Sequence, residues 1–268
     1  MVAPTENIHK YKRENNMKKT EETNHWNPET YNRYTSFVSS LALPVVALLE
    51  VKEGESILDV GCGEGTLAVE IAKYGAKVVG VDMSQEMVTM AQKKGVDAYV
   101  GSVTRLDDTK KYDKVFSNAT LHWVKDAKGA LANIAKVLYD GGTFVAEFGG
   151  YGNVAHIIKA IEKTFDKHPE FGVFENPWYF PSVVEYKSLL EEVGFRVVYI
   201  ESIPRPTPMD DIANWIDVFT RGITKDLSEK EFKIFKKEVV GFLKETNYTL
   251  KDGWVADYVR LRVKAVKV

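Results

Sequence analysis

The feature that most constrains this chain is the stretch Ser56-Ile-Leu-Asp-Val-Gly-Cys-Gly-Glu-Gly65, followed by Thr66 to Tyr74 with Leu67 and Ile71 on one helical face. An apolar run that stops at alternating glycines and restarts as a helix predicts a buried strand, a loop and a helix N-terminus. In such a loop the backbone can approach a ligand closely. The alternation then repeats. Gly75 closes the first helix, Lys77 to Val81 forms a second strand, and Ser84 caps a helix that Gly95 ends. Asp97 to Gly101 and Lys114 to Asn118 read as strands three and four. Asp126 to Leu138 reads as a helix closed by Gly141-Gly142, and Thr143 to Phe148 as a fifth strand. Strands and helices alternating at this spacing predict an α/β fold whose parallel sheet is covered on both faces.

Beyond Gly149 the pattern changes. Asn153 to Lys167 reads as a helix and Phe171 to Phe180 as an aromatic-rich loop; Ser182-Val-Val-Glu185 is a capping box opening a helix that ends at Gly194. Arg196 to Glu201 is a sixth strand, after which Pro204, Pro206 and Pro208 are expected to break the chain. Two helices follow, the second opened by the capping box Ser228-Glu-Lys-Glu231. Val259, Leu261, Val263 and Ala265 then alternate with Arg260, Arg262 and Lys264, as in an antiparallel strand with one solvated face. Met1 to Asn24 is rich in lysine and glutamate and poor in large apolar residues, which predicts a disordered extension. A single domain over residues 25–268 is expected, with residues 151–181 and 203–253 as cap or lid insertions.

Composition narrows the function. A formal net charge of −2 leaves no basic surface for nucleic-acid phosphates. No stretch has the apolar length of a membrane span, and the N-terminus lacks a secretory signal core. Cys62 is the only cysteine, and His9, His25, His122, His156 and His168 are scattered, so no metal-ligand spacing appears. A reducing cytoplasm is the expected location.

The chemistry concentrates at the glycine loop. Its third glycine comes one residue too early for a dinucleotide fingerprint, and Asp59 and Glu64 flank it, which disfavours a pyrophosphate. By Coulomb sign the same carboxylates suit the sulfonium and ammonium of S-adenosylmethionine. Asp82 ends the second strand near the roughly 20-residue offset at which an acid reaches ribose hydroxyls in this topology. Met83, next to it, is an apolar neighbour for adenine. The bland reading of Asp82 is a helix cap.

Together the loop and Asp82 resemble the class I S-adenosylmethionine-dependent methyltransferases, over roughly Trp26 to Val268. The resemblance implies a Rossmann-like, seven-stranded, mostly parallel sheet with its last strand antiparallel. It places Asp59, Gly61 and Gly63 around the methionine part of S-adenosyl-L-methionine and Asp82 on the ribose; Met83, Val103 and Asn118 complete the cofactor set. The family usually has an acid after the third strand, where this chain has Ser102. Trp26-Asn-Pro-Glu-Thr-Tyr31, Ser117-Asn-Ala-Thr-Leu-His-Trp123, Asp140-Gly-Gly142, Arg205-Pro-Thr-Pro208 with Trp215, and Asp252-Gly253 look like the trans-aconitate methyltransferase group. That implies a small-molecule methyl acceptor, such as a carboxylate, methylated in line with release of S-adenosyl-L-homocysteine.

On the acceptor side, Trp26, Tyr31, Arg33, His122, Trp123 and Trp178 are candidate substrate or lid residues. His122 is either a general base, its ordinary pKa lying near neutrality, or part of the pocket wall. The Phe171 to Phe180 run is either a lid or core for the extra helices. Arg33, Arg205 and Arg221 are candidates to pair with an anionic substrate. Two further classes stay open: an RNA or protein methyltransferase, and a catalytically silent cofactor-binding module. Against the nucleic-acid class, Asn118-Ala-Thr-Leu121 lacks the tetrapeptide used on exocyclic amines.

Overall fold

In a computed structural model, residues 42–106 and 109–268 are described. The candidates Trp26, Tyr31 and Arg33, and the expected N-terminal extension, lie outside them.

Five parallel strands run in the predicted order: β1 (Ser56–Val60), β2 (Lys77–Asp82), β3 (Asp97–Val100), β4 (Tyr112–Asn118) and β5 (Leu138–Gly149). They are followed by β6 (Phe195–Met209), the two-residue β7 (Tyr248–Thr249) and β8 (Gly253–Lys267). The sheet order is β3-β2-β1-β4-β5-β8-β6, with β7 beside β8, and β8 runs antiparallel to both β5 and β6. This is the Rossmann-like seven-stranded sheet expected, with a short eighth piece added.

Helices cover both faces. On one, α4 (Ala127–Val137) and α6 (Val183–Glu192) pack Leu131, Ile134, Tyr186 and Leu190 onto Phe144, Phe148, Leu261 and Val263. On the other, α1 (residues 42–49) places Val45, Val46 and Leu49 against Ile57, Phe116 and Val145. Short α2 (Thr66–Ala72) and α3 (Gln85–Lys93) follow β1 and β2, and Ser84 caps α3 by accepting from the Met87 N–H as its residue type predicts. Both capping boxes form, at Ser182 and at Ser228.

The cap has a core of its own. α5 (Ala155–Lys167), α7 (Ile212–Phe219) and α8 (Glu229–Leu243) bury Ile157, Ile161, Phe165, Trp215, Ile216, Phe232 and Phe235 together with Phe171 and Trp178. Phe174 and Phe180 pack on the same cluster. Of the two readings of the Phe171 to Phe180 run, the packing supports core: rings this large lower the free energy most by being buried among other rings.

One expectation is overturned. Pro204, Pro206 and Pro208 do not break the chain; β6 runs through them to Met209, so residues 203–209 belong to the sheet. Their partners Val259, Asp257 and Val255 turn their backbone polar groups away from β6, to Asn153 and Gly150, to Val154, and to Asn247. The prolines therefore occupy the positions where an edge strand points its nitrogens outward, and no ladder hydrogen bond is lost.

Candidate functional site

The glycine loop lies at the carboxyl end of β1. The Gly61 and Cys62 N–H groups donate to the Val81 carbonyl at 2.8 and 3.1 Å, tying the loop to β2. Gly61 has φ +72°, and a Cβ there would lie 2.0 Å from Thr120 Oγ1, so this glycine is demanded by packing. Gly63 differs: its φ is +53°, but a Cβ would meet nothing within 4 Å. Its open side is a place where a ligand can reach the backbone.

Two carboxylates stand behind the loop. Asp59 is buried, and its Oδ2 has no hydrogen-bond partner. Burial, reinforced by the nearby Asp82 charge, raises its pKa to about 7. Asp82 Oδ2 accepts from Gly63 N–H and Oδ1 from Ser84 N–H, both at 2.9 Å. Burial raises its pKa, against the lowering effect of those N–H groups. Asp82 therefore does cap the turn, as the bland reading has it, yet each oxygen keeps a lone pair. Glu64 is not with them, for it pairs with Lys94 at 3.0 Å and accepts from the Thr66 hydroxyl. Cys62 is buried, and its thiol is pushed far above its ordinary pKa, first by burial and then by Asp59 and Asp82, which leaves it inert.

Next to Asp82, Met83 is 60% exposed, free to lie on a flat ligand. Ser102 opens a 3₁₀ turn and accepts from Thr104 N–H, while Val103 is buried beneath. Asn118 ends β4 beside Ala119, which has φ +56° and donates its N–H to the Glu147 carbonyl at 2.7 Å. Gly61, Gly63, Asp82 and Asn118 thus meet at one end of the sheet, where α/β folds place ligands.

His122 follows. It is buried; its Nδ1 accepts from the Gly149 N–H at 3.2 Å, and its backbone carbonyl accepts from Tyr179. With Nδ1 an acceptor, the neutral ring carries its proton on Nε2. Burial, and then the charge of Arg260, drive the pKa down to about 3. Of the two readings, wall and base, this environment supports the wall. Trp123 and Phe180 flank the ring at 5.4 and 5.8 Å, and Trp123, Trp178 and Trp215 continue inward at 5.7 and 5.9 Å.

The arginine candidates are engaged elsewhere. Arg205 forks onto buried Glu147, Nη1 to Oε1 at 2.5 Å and Nη2 to Oε2 at 3.0 Å, and Arg262 holds the same carboxylate. Arg221 pairs with Glu229 and stacks 3.6 Å over Phe232. Two residues not singled out from the sequence adjoin this aromatic wall. The Arg260 guanidinium sits 4.4 Å over the Tyr258 ring, and the Tyr258 hydroxyl accepts from Trp215 Nε1 at 2.7 Å. In sequence Arg260 reads as the solvated side of an alternating strand, and Tyr258 carries no signal of its own.

A family described as a methyltransferase domain matches residues 58–146. An uncharacterised methyltransferase of Schizosaccharomyces pombe is 33% identical over 256 residues, 91% of this chain and 98% of that one. The chain is a class I S-adenosylmethionine-dependent methyltransferase. A trans-aconitate 2-methyltransferase of a Mycobacterium species is 27% identical across 85% of this methyltransferase and 93% of its own length. In fold it is similar to a putative methyltransferase of Bacillus halodurans (TM-score 0.59, 19% identity, 85% of this chain and 99% of that one). It is similar also to a phosphoethanolamine N-methyltransferase of Haemonchus contortus with S-adenosylhomocysteine bound (TM-score 0.59, 19%, 90% and 56%).

The loop of this methyltransferase fits its cofactor, S-adenosylmethionine. An unpartnered buried carboxylate oxygen on Asp59 wants a cation, and Gly63 leaves the approach open. Among the described residues no cluster could hold a metal ion and no helix is long and apolar enough to cross a membrane.

Proposed function

We propose that this methyltransferase acts on a small molecule, transferring the methyl group in line to a carboxylate oxygen. The observation that carries this reading is the acceptor wall: a neutral, buried His122 set among aromatic rings, with Arg260 as the nearby cation. A carboxylate is already ionised at neutral pH and needs no base. An amine or phenol acceptor would call for one, and His122 is poorly suited to serve. The similarity to trans-aconitate methyltransferases supports the same class.

In this reading the Asp59 carboxylate faces the cationic end of the cofactor, the loop backbone from Gly61 to Gly63 lies against its methionine part, and Asp82 offers its remaining lone pairs to the ribose hydroxyls. Met83, Ser102 and Val103 border the adenine, and Asn118 lies below the reacting end. S-adenosylmethionine supplies an already activated methyl group. What the protein adds is orientation, worth about 7–11 kcal/mol in well-aligned systems, against the 10²–10⁴-fold typical of a general base. The aromatic wall excludes water, which favours meeting of an anion and a sulfonium.

A methyl-transfer screen over small carboxylates, amines, thiols and phenols tests the reading. Methyl esters are the expected products; transfer only to nitrogen, sulfur or phenol oxygen, or to RNA or protein, would overturn it.

A further inference from the structure

The hydroxyl of Tyr258 carries a hydrogen that its neighbours cannot take. Its oxygen accepts from Trp215 Nε1 at 2.7 Å. An indole nitrogen only donates, so the phenol keeps its own hydrogen for another partner. The Arg260 guanidinium, 4.4 Å over the ring, is likewise a donor with no capacity to accept. The adjacent carboxylate, Asp257, belongs to the opposite face of β8, where Oδ2 accepts from the His156 N–H at 2.9 Å and Oδ1 from Asn247 at 3.2 Å. Among the described residues nothing accepts from the Tyr258 hydroxyl. Burial raises its pKa, against the charge of Arg260, so the phenol stays protonated at neutral pH. A buried donor without an acceptor is costly, and a bound ligand can remove that cost.

The register places this donor at the open end of the sheet. Arg260 pairs with Gly149, the last residue of β5, so Tyr258, two residues earlier on the same face of β8, lies past the carboxyl edge. The Gly149 N–H holds His122, whose ring feels the Arg260 charge. Trp215 in turn continues the row of rings from Trp123 through Trp178. Tyr258 thus brings a hydroxyl to the wall that borders the acceptor.

Resting on the carboxylate reading above, we propose that the Tyr258 hydroxyl binds the acceptor by donating to the carboxylate oxygen that does not receive the methyl. The other oxygen attacks: its lone pair forms the bond to the methyl carbon as the carbon–sulfur bond breaks, and that pair stays on sulfur. No proton moves, and Tyr258 keeps its hydrogen throughout. Holding one oxygen fixes the rotation of the carboxylate, so that the other faces the methyl. The hydrogen bond weakens on reaction, because a charged carboxylate is a stronger acceptor than the ester carbonyl that replaces it. Tyr258 therefore favours substrate over product. An alcohol or thiol acceptor has no second oxygen to offer it.

Steady-state methyl transfer by the full chain, with hexanoate and trans-aconitate as probes, tests this. Tyr258→Phe keeps the ring under Arg260 and removes the hydroxyl together with its bond from Trp215. It should raise KM at least tenfold for both probes and by similar factors, since only the reacting carboxylate is involved. Trp215→Phe removes the bond from the indole but keeps the hydroxyl, and should raise KM by less. Calorimetry should find S-adenosylhomocysteine affinity within about threefold of wild type in both variants, which a general disturbance of the fold would not spare. A Tyr258→Phe enzyme with unchanged KM, or one that loses S-adenosylhomocysteine affinity as strongly as acceptor affinity, would overturn the inference while carboxylate methylation stands. A wild type that methylates neither probe would overturn the inference together with the reading it rests on.

Discussion

The two ends of this methyltransferase are held together in different ways. In the cofactor half, β1, β2 and their glycine loop leave a buried carboxylate oxygen of Asp59 unpartnered and a glycine, Gly63, facing open space. In the cap half, aromatic rings pack edge to face around Phe165 and Phe235, and the Trp215 indole finds Tyr258. An unpaired buried charge costs several kcal/mol unless a ligand compensates it. The first half is therefore built to be completed by a bound cation, whereas the second is held by its own packing, with His168 Nε2 its buried unpartnered atom. Stability and binding should separate along that line.

The sharpest break of this contrast is Trp178→Ala. Removing the indole from the cap core should cost about 3–5 kcal/mol of stability by urea denaturation, while the folded fraction binds S-adenosylhomocysteine within threefold of wild type. A binding loss as large as the stability loss would mean the halves are not separable.

Asp59 gives the next largest effect. Its folded pKa of about 7 lies above the unfolded carboxylate value. The empty protein therefore loses stability from this group as pH rises from about 4 to about 7. Binding of the cationic cofactor needs the ionised form, so affinity for S-adenosylmethionine should fall up to tenfold for each pH unit below about 7, with proton release on binding. Calorimetry at pH 5.5 and 7.5 in buffers of different ionisation enthalpy checks this. Asp59→Asn should flatten the dependence.

Asp82→Ala should weaken S-adenosylhomocysteine binding at least tenfold, since charge-assisted hydrogen bonds contribute about 1.5–3 kcal/mol each. It also frees the Gly63 and Ser84 N–H groups, so part of the loss passes through the loop. Thermal melts with and without ligand separate the parts. The smallest effect expected belongs to His122: at S-adenosylmethionine concentrations that saturate the enzyme at every pH, kcat/KM for a carboxylate acceptor should vary less than twofold between pH 6 and 8. A fall on the acidic side with a midpoint near 6.5 would restore it as a base.

Sequence was legible where structure is local. Gly61, Gly63 and Gly65 sit at positive φ as a strand–loop–helix demands, and Ser182 and Ser228 form the capping boxes their spacing announces. It was ambiguous where partners are remote. Nothing near Arg205 in sequence reveals that Glu147 claims its fork. Phe171 to Phe180 has the composition of either a lid or a core, and only helices α5, α7 and α8 decide between them. Arg260 reads as a solvated charge because alternation cannot tell water from the ring of Tyr258.

The prolines of β6 have a consequence for assembly. A strand from another chain approaching this edge would look for a row of donors and find nitrogens without hydrogens at residues 204, 206 and 208. This stretch of the sheet margin is thereby blunted against self-association, whether into dimers or aggregates. Among the described residues, what remains for edge-to-edge growth is the proline-free part of β6, residues 195–203, and β3, four residues at the opposite margin.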